Sequence, residues 1–338
     1  MKTLFLGSGP FGLPTLDRLA TRGGDLVVGT VPDAPRGRKR RLEPTVIKAR
    51  ALELGLPVHE IASLKGRRGP EFLAEVPADL VITCDFRLIL GRKFLAAPPL
   101  GCFNLHGSIL PAWRGAAPVA RGVLAGDATF GVSLYRMVYA LDAGPVVGTI
   151  EHTPDEPPET DTLEDLLSRR AADLLEEWFP VLASGDVPLA EQDDTMATFA
   201  PKLEKDEGWI DWRLDASAIE RCVRGLKPWP RAFTEWGSDD GSTPPVRIFL
   251  DRTSCEASDA STSTSTLTAH EESLEPGSVR AIDDRGIHVA CGDGTDTVTI
   301  LELQRAGKRS LPAAEFVRGF PCRDGRFLAP PPRTEEDR

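Results

Sequence analysis

Three polar residues stand at the ends of apolar runs: Asn104 and His106 in "CFNLHGSILPAWRG", and Asp142 in "ALDAGP". An asparagine amide donates to an oxygen that is gaining negative charge, and an imidazole two residues on can donate beside it or move a proton. A carboxylate such as Asp142 orients an imidazole and stabilises its charged form, as the acid of a nucleophilic triad does. No nucleophile completes the set, because Ser108 pairs with no evident base, so the attacking atom is expected from a substrate. That pattern suits direct transfer of a carbonyl-bearing group to an amine. It equally suits a buried histidine satisfied by a neighbouring asparagine, and the three residues alone do not separate the two.

Two further motifs bear on chemistry. "GSGPFG" (residues 7–12) matches G-x-G-x-x-G between a strand and a helix, and Asp33 could pass for a ribose-binding acid, which makes a nicotinamide oxidoreductase the rival reading. Against it, Pro10 lacks an amide hydrogen. Asp33 is also followed by a basic run instead of a clean strand and helix. That run lies in residues 33–50, which carry seven Lys or Arg against two acids, with Arg38, Lys39, Arg40 and Arg41 consecutive. In a chain of net charge -11, such a local inversion is either a solvated loop or a site for an anionic partner. The six cysteines are far apart, with no C-x-x-C pair and no nearby histidine, so reduced thiols and no metal are expected.

The elements that must position these residues follow from hydropathy. Apolar runs at "KTLFLG", "DLVVGTV", "ADLVITC" and "GCFNLH" alternate with helical patterns and lack polar alternation, which predicts a parallel sheet covered on both faces. Ligands bind beyond the carboxyl ends of such strands, where Asn104 and His106 fall. A long helix is expected from Thr162 to about Leu182. "WIDWRLDASAIERCVRGLKPWP" reads as one amphipathic helix, and the following short strands as a small barrel. We expect a catalytic domain over 1–186, a linker over 187–207 and a second domain over 208–325. A disordered Ser/Thr-rich insertion is expected at 251–276 and a tail at 326–338. With 338 residues, 41% hydrophobic and 27% charged, no apolar run reaches the roughly 18 residues of a membrane helix. A strand begins directly after Met1-Lys2, so no leader is expected and the compartment is expected to be the cytoplasm.

Together, "NLHGSILPAWRGAAP" and "LDAG" resemble the signature of the folate-dependent formyltransferases, whose N-x-H, S-x-L-P-x-x-R-G and L-D-x-G elements are jointly specific. "PKLEKDEGWIDW", "AIERCVRGLKPWPRAF" and "LELQRAGKRSLPAAEFVRG" resemble the second domain of the branch that formylates methionyl-tRNA. The resemblance runs from residue 2 to about residue 319. It implies a Rossmann-like, mostly parallel sheet followed by a smaller OB-like barrel. It also implies 10-formyltetrahydrofolate as formyl donor, initiator methionyl-tRNA as acceptor, a role in translation initiation and a monomeric state.

By the same resemblance Asn104, His106 and Asp142 are catalytic. Phe86, Arg87, Leu88, Ser108, Leu110, Pro111, Ala140 and Gly144 then line the folate, and Arg36, Arg38, Lys39, Arg40 and Arg41 meet the tRNA. The chain departs from the family at the folate end: Asp85 and Arg87 in "CDFRLIL" replace small residues and Tyr-Gly, and Ala140 and Pro145 flank L-D-x-G in place of Gly and Asp. The alternatives left open are a formyltransferase for a nucleotide sugar or another amine, a formyltetrahydrofolate hydrolase, and a catalytically weak RNA-binding relative.

Overall fold

Apolar runs with no polar alternation become strands buried on both faces. The computed structural model describes residues 1–36 (Arg36 by its backbone), 41–237, 244–255, 273–320, 322 and 325–330. They form two units. The first comprises Met1–Gly122, Asp127–Pro157 and Asp161–Lys202; the second comprises Val123–Gly126, Pro158–Thr160 and the chain from Leu203 on.

In chain order the elements that build the first unit are β1 (Lys2–Gly7), α1 (Leu13–Arg22), β2 (Asp25–Thr30), β3 (Ala34–Arg36), β4 (Arg41–Glu43), α2 (Val46–Glu53), β5 (Val58–Glu60), α3 (Arg68–Glu75), β6 (Leu80–Cys84), α4 (Arg92–Leu95), β7 (Gly101–His106), β8 (Arg114–Gly115), α5 (Pro118–Ala125), β9 (Phe130–Arg136), β10 (Val146–His152), α6 (Thr160–Ser184) and β11 (Phe199–Ala200). Seven of the strands make one sheet in the order β10-β9-β7-β6-β1-β2-β5. Strands β7, β6, β1, β2 and β5 are parallel, and β9 runs antiparallel to both β7 and β10. Every residue of β6 is buried, as a strand covered on both faces requires. The expected Rossmann-like sheet is present.

The second unit adds α7 (Ala216–Gly225), β12 (Phe233–Gly237), β13 (Val246–Cys255), β14 (Val279–Ile282), β15 (Ile287–Cys291), β16 (Asp296–Arg305), β17 (Ser310–Pro312), α8 (Ala313–Gly319) and β18 (Arg326–Leu328). Its seven antiparallel strands follow β14-β15-β16-β13-β12-β18, with β17 on β16. The sheet curls as a half barrel around Trp212, Trp236, Ile248, Val289, Ile300 and Phe327. Register shifts in β13 on either side of Arg252 add to the coiling.

Local differences from the sequence reading have physical causes. The basic stretch contains a short hairpin, with Arg36 opposite Arg41 at its end, where a loop was expected; strands of sequence APR and RLE carry no apolar alternation to announce them. Residues 209–230 are not one helix. Asp215 caps α7 by accepting from the Ala218 N–H at 2.7 Å, and Ile210 before it donates to the Phe233 carbonyl at 2.8 Å. β13 continues to Cys255, beyond the expected start of the insertion at 251, because it stays paired with β16 through Cys255↔Val298. The remainder of that insertion, 256–272, lies outside the described residues, as does 331–338. The expected tail begins instead with β18, whose Phe327 is fully buried and stacks on Trp212 with centroids 5.4 Å apart.

The expected linker is also structured. Ala190 and Val146 exchange two backbone hydrogen bonds, and β11 pairs in parallel with β8. Polar, proline-interrupted sequence concealed this because the partners are backbone groups.

Candidate active site

On a β-strand, residues two apart share a face, so β7 presents Asn104 and His106 together while Leu105 turns the other way. Register does the rest. Thr83 of β6 and Tyr135 of β9 lie on either side of Asn104, so three polar side chains form a row across three strands. The Thr83 hydroxyl donates to Asn104 Oδ1 at 2.6 Å. With its oxygen taken, Asn104 has only its NH2 left to offer, and Tyr135 of β9 is its register neighbour. Tyr135 in turn donates to Asp142 Oδ1 at 2.7 Å. Burial first, and the Asp142 charge second, push the Tyr135 phenol well above its ordinary pKa, so it remains a neutral donor.

Asp142 occupies a left-handed backbone conformation, φ 47°, in the turn between β9 and β10. Its Oδ2 accepts from the Gly115 N–H at 2.8 Å and lies 3.7 Å from His106 Nδ1. His106 is only 6% exposed, and its Nε2 lies 2.8 Å from the Trp113 carbonyl oxygen. A carbonyl only accepts, so Nε2 carries a hydrogen and Nδ1 faces Asp142. The three expected residues therefore converge, with Tyr135 bonded to Asp142 and beside Asn104.

Two close approaches fix the surrounding loops. A Cβ on Gly144 would sit 1.8 Å from the Arg136 carbonyl oxygen, and one on Gly115, φ 132°, would sit 2.5 Å from that of Ala200. Ser108 is buried and donates to the Ala112 carbonyl at 2.6 Å, while the Leu110 N–H donates to Ser133 Oγ at 3.0 Å. Both of these groups brace the loop after β7. Pro111 follows in that loop, half-buried.

At the folate end expected from the sequence, Phe86 and Leu88 pack partly buried against the core around Leu90 and Phe94, and Arg87 and Ala140 are exposed. Asp85, φ 50°, accepts at its main-chain oxygen from the Ser8 and Gly9 N–H groups at 2.9 and 3.2 Å. Its carboxylate fills the space over Gly9, where a Cβ would lie 1.8 Å from Oδ2. The glycine-rich turn thus has an acid against it and two of its N–H groups committed. A pyrophosphate there would meet like charge, which removes the dinucleotide reading. Desolvation raises the Asp85 carboxyl, opposed by the charge of Arg87. Glu164 on α6 is pushed up to about 7, by burial first and then by the charges of Asp85 and Asp161.

Of the expected tRNA contacts, Arg41 is exposed on β4, whereas Arg38, Lys39, Arg40 and the Arg36 side chain lie outside the described residues. Among the described residues no cluster of three or more His, Cys, Asp or Glu side chains is placed to hold a metal ion. Nor is any helix among them long and apolar enough to cross a membrane. Sequence reasoning missed Thr83, Tyr135 and Gln192, and it gave no role to Arg114 of the S-x-L-P-x-x-R-G motif. The available signal was polarity inside apolar runs, as for Tyr135 in "FGVSLYR".

Residues 1–181 match the family described as formyl transferase, and residues 202–321 match the formyl transferase C-terminal domain. Over 318 residues the chain is 38% identical to the methionyl-tRNA formyltransferase of Methylococcus capsulatus, covering 94% of this chain and 96% of that one. Among solved structures, the N-formyltransferase of Helicobacter canadensis, in complex with folinic acid and dTDP-3-aminofucose, is similar at TM-score 0.60 and 10% identity. That match covers 90% of this chain and 99% of that one. HypX of Aquifex aeolicus, in complex with tetrahydrofolic acid, is similar at TM-score 0.58 and 16% identity, covering 94% of this chain. The present chain spans 47% of the HypX chain. At these identities the solved structures speak to the fold alone.

Proposed function

This chain belongs to the formyl transferase family, and from that premise we infer how its residues move a formyl group from 10-formyltetrahydrofolate to the α-amino group of methionyl-tRNA. The observation that carries the reading is similarity to a methionyl-tRNA formyltransferase over both halves of the chain, with Asn104, His106 and Asp142 converging in the first unit.

The α-amine has an ordinary pKa of about 7.7 to 8.0 and is partly neutral near pH 7. Its lone pair attacks the formyl carbon, and the carbonyl oxygen takes the displaced electrons. Asn104, its oxygen held by Thr83, offers its NH2, and this donor stabilises the oxyanion. When the intermediate collapses, the bond from carbon to N10 of the folate breaks. The amine loses a proton, N10 gains one, and His106, releasing the Trp113 carbonyl from Nε2 with Asp142 behind Nδ1, serves these transfers. The first unit holds the folate and the reacting amine, and the second helps hold the tRNA body. The basic run of Arg36, Arg38, Lys39, Arg40 and Arg41 meets the acceptor end and selects the initiator. The protein acts as a monomer in the cytoplasm, where initiator tRNA is charged.

The deciding experiment incubates the purified protein with 10-formyltetrahydrofolate and charged initiator tRNA. Formyl-methionine released from the tRNA is the expected product. Free formate without it would indicate a hydrolase, and formylation of an amino sugar nucleotide instead would indicate a sugar enzyme.

A further inference from the structure

Gln192 lies in the stretch that reads as linker and outside every motif, yet its side chain holds two active-site loops at once. Its Oε1 accepts from Arg114 Nε at 3.1 Å and Nη2 at 2.8 Å. Its Nε2 donates to the main-chain oxygens of Asp142 at 2.8 Å and Gly144 at 2.6 Å. Chemistry fixes this orientation: a guanidinium only donates and a carbonyl only accepts, so the amide can face just one way.

The anchor is firm. Arg114 is 5% exposed, belongs to β8 and also bonds Asp194 Oδ1 at 2.7 Å. What it anchors needs holding, because Asp142 adopts a conformation that residues with a Cβ rarely take. The turn of Asp142 and the loop of Arg114 are tied a second time where the Gly115 N–H meets the Asp142 carboxylate. Remove the amide and two carbonyls of the turn lose these donors.

We propose that Gln192, anchored by Arg114, is a positioning residue for the reaction: it fixes the turn that sets Asp142 against His106 and Tyr135. The proposal rests on Asp142 belonging to the catalytic set. Gln192→Met keeps the length and loses both sets of hydrogen bonds, whereas Gln192→Glu keeps an acceptor for Arg114 and loses only the donors. In the full chain, with 10-formyltetrahydrofolate and charged initiator tRNA, Gln192→Met is expected to lower kcat on the order of 10²-fold, the usual effect of displacing a reacting group by about 1 Å. KM for either substrate should stay within about threefold. Gln192→Glu should lose as much, since a carboxylate repels the carbonyls of the turn.

The decisive measurement is the double-mutant cycle with Asp142→Asn. If Gln192 acts through Asp142, adding Gln192→Met to Asp142→Asn costs less than about threefold more in kcat. Losses that multiply would overturn the proposal, as would a lowered Tm with kcat per folded molecule unchanged. Should Gln192→Met fail to fold, Gln192→Glu carries the same cycle. A normal kcat for Asp142→Asn alone would reject the catalytic assignment of Asp142, a failure distinct from multiplying losses.

Discussion

Asn104 has its amide oxygen taken by Thr83, which leaves the NH2 as the group it can offer. Its replacement by alanine is expected to lower kcat by about 10²- to 10³-fold, the effect of deleting one oxyanion donor, with substrate KM little changed. A raised KM with normal kcat would assign Asn104 to ground-state binding instead. Glu164 makes a different forecast. Its carboxyl is raised from 4.5 to about 7, so between those values the folded chain keeps a proton that the unfolded chain releases. The stability this group contributes is therefore complete below the unfolded value and is lost as pH rises through about 7. Glu164→Gln should raise Tm relative to the parent at pH 8 and change it little at pH 4.5; an equal difference at both pH values would contradict the assignment.

Single residues are only as well placed as the turns that carry them. Strand pairing puts Thr83, Asn104 and Tyr135 in one row, but Asp142 reaches that row from a turn held by close backbone packing. Gly144 permits that packing. Gly144→Ala would force a Cβ against the Arg136 carbonyl oxygen, at 1.8 Å, and backbone cannot yield as a side-chain tip does. We expect the turn to shift by about an ångström and kcat to fall roughly 10²-fold. Steady-state kinetics with a normal kcat would show that the turn absorbs the methyl group without moving Asp142. At this scale the sequence marked "LDAG" as a turn near the chemistry, and it was silent on Gln192, whose partners lie 48 to 78 positions away in the chain.

A molecule of net charge -11 repels RNA unless a local field overrides the total, and residues 36–41 supply one. Arg38→Ala is expected to cost roughly 1 to 3 kcal/mol of tRNA binding and to relax the preference for the initiator. Lys39→Ala, acting on phosphate, should weaken all tRNAs alike and flatten the salt dependence by about one unit of slope. Equal losses for initiator and elongator tRNA in both variants, measured by binding titrations across salt, would leave this stretch as general electrostatic attraction.

The sequence by itself determined the two-part architecture and the parallel sheet, and it singled out Asn104, His106 and Asp142 as candidates, because each is written in local pattern. Unbroken apolar strands dictate burial on both faces, and N-x-H at a strand end puts two polar groups on one face at the ligand-binding edge. Only the tertiary structure decided what joins them. Tyr135 bonds Asp142 beside Asn104, Asp85 lies against the glycine-rich turn, and the supposed linker ties the loop of Arg114 to the turn of Asp142. These contacts depend on register between strands and on backbone groups distant in the chain. Hydrogen-bond partners of that kind leave no periodicity in hydropathy, so no reading of local pattern could have supplied them.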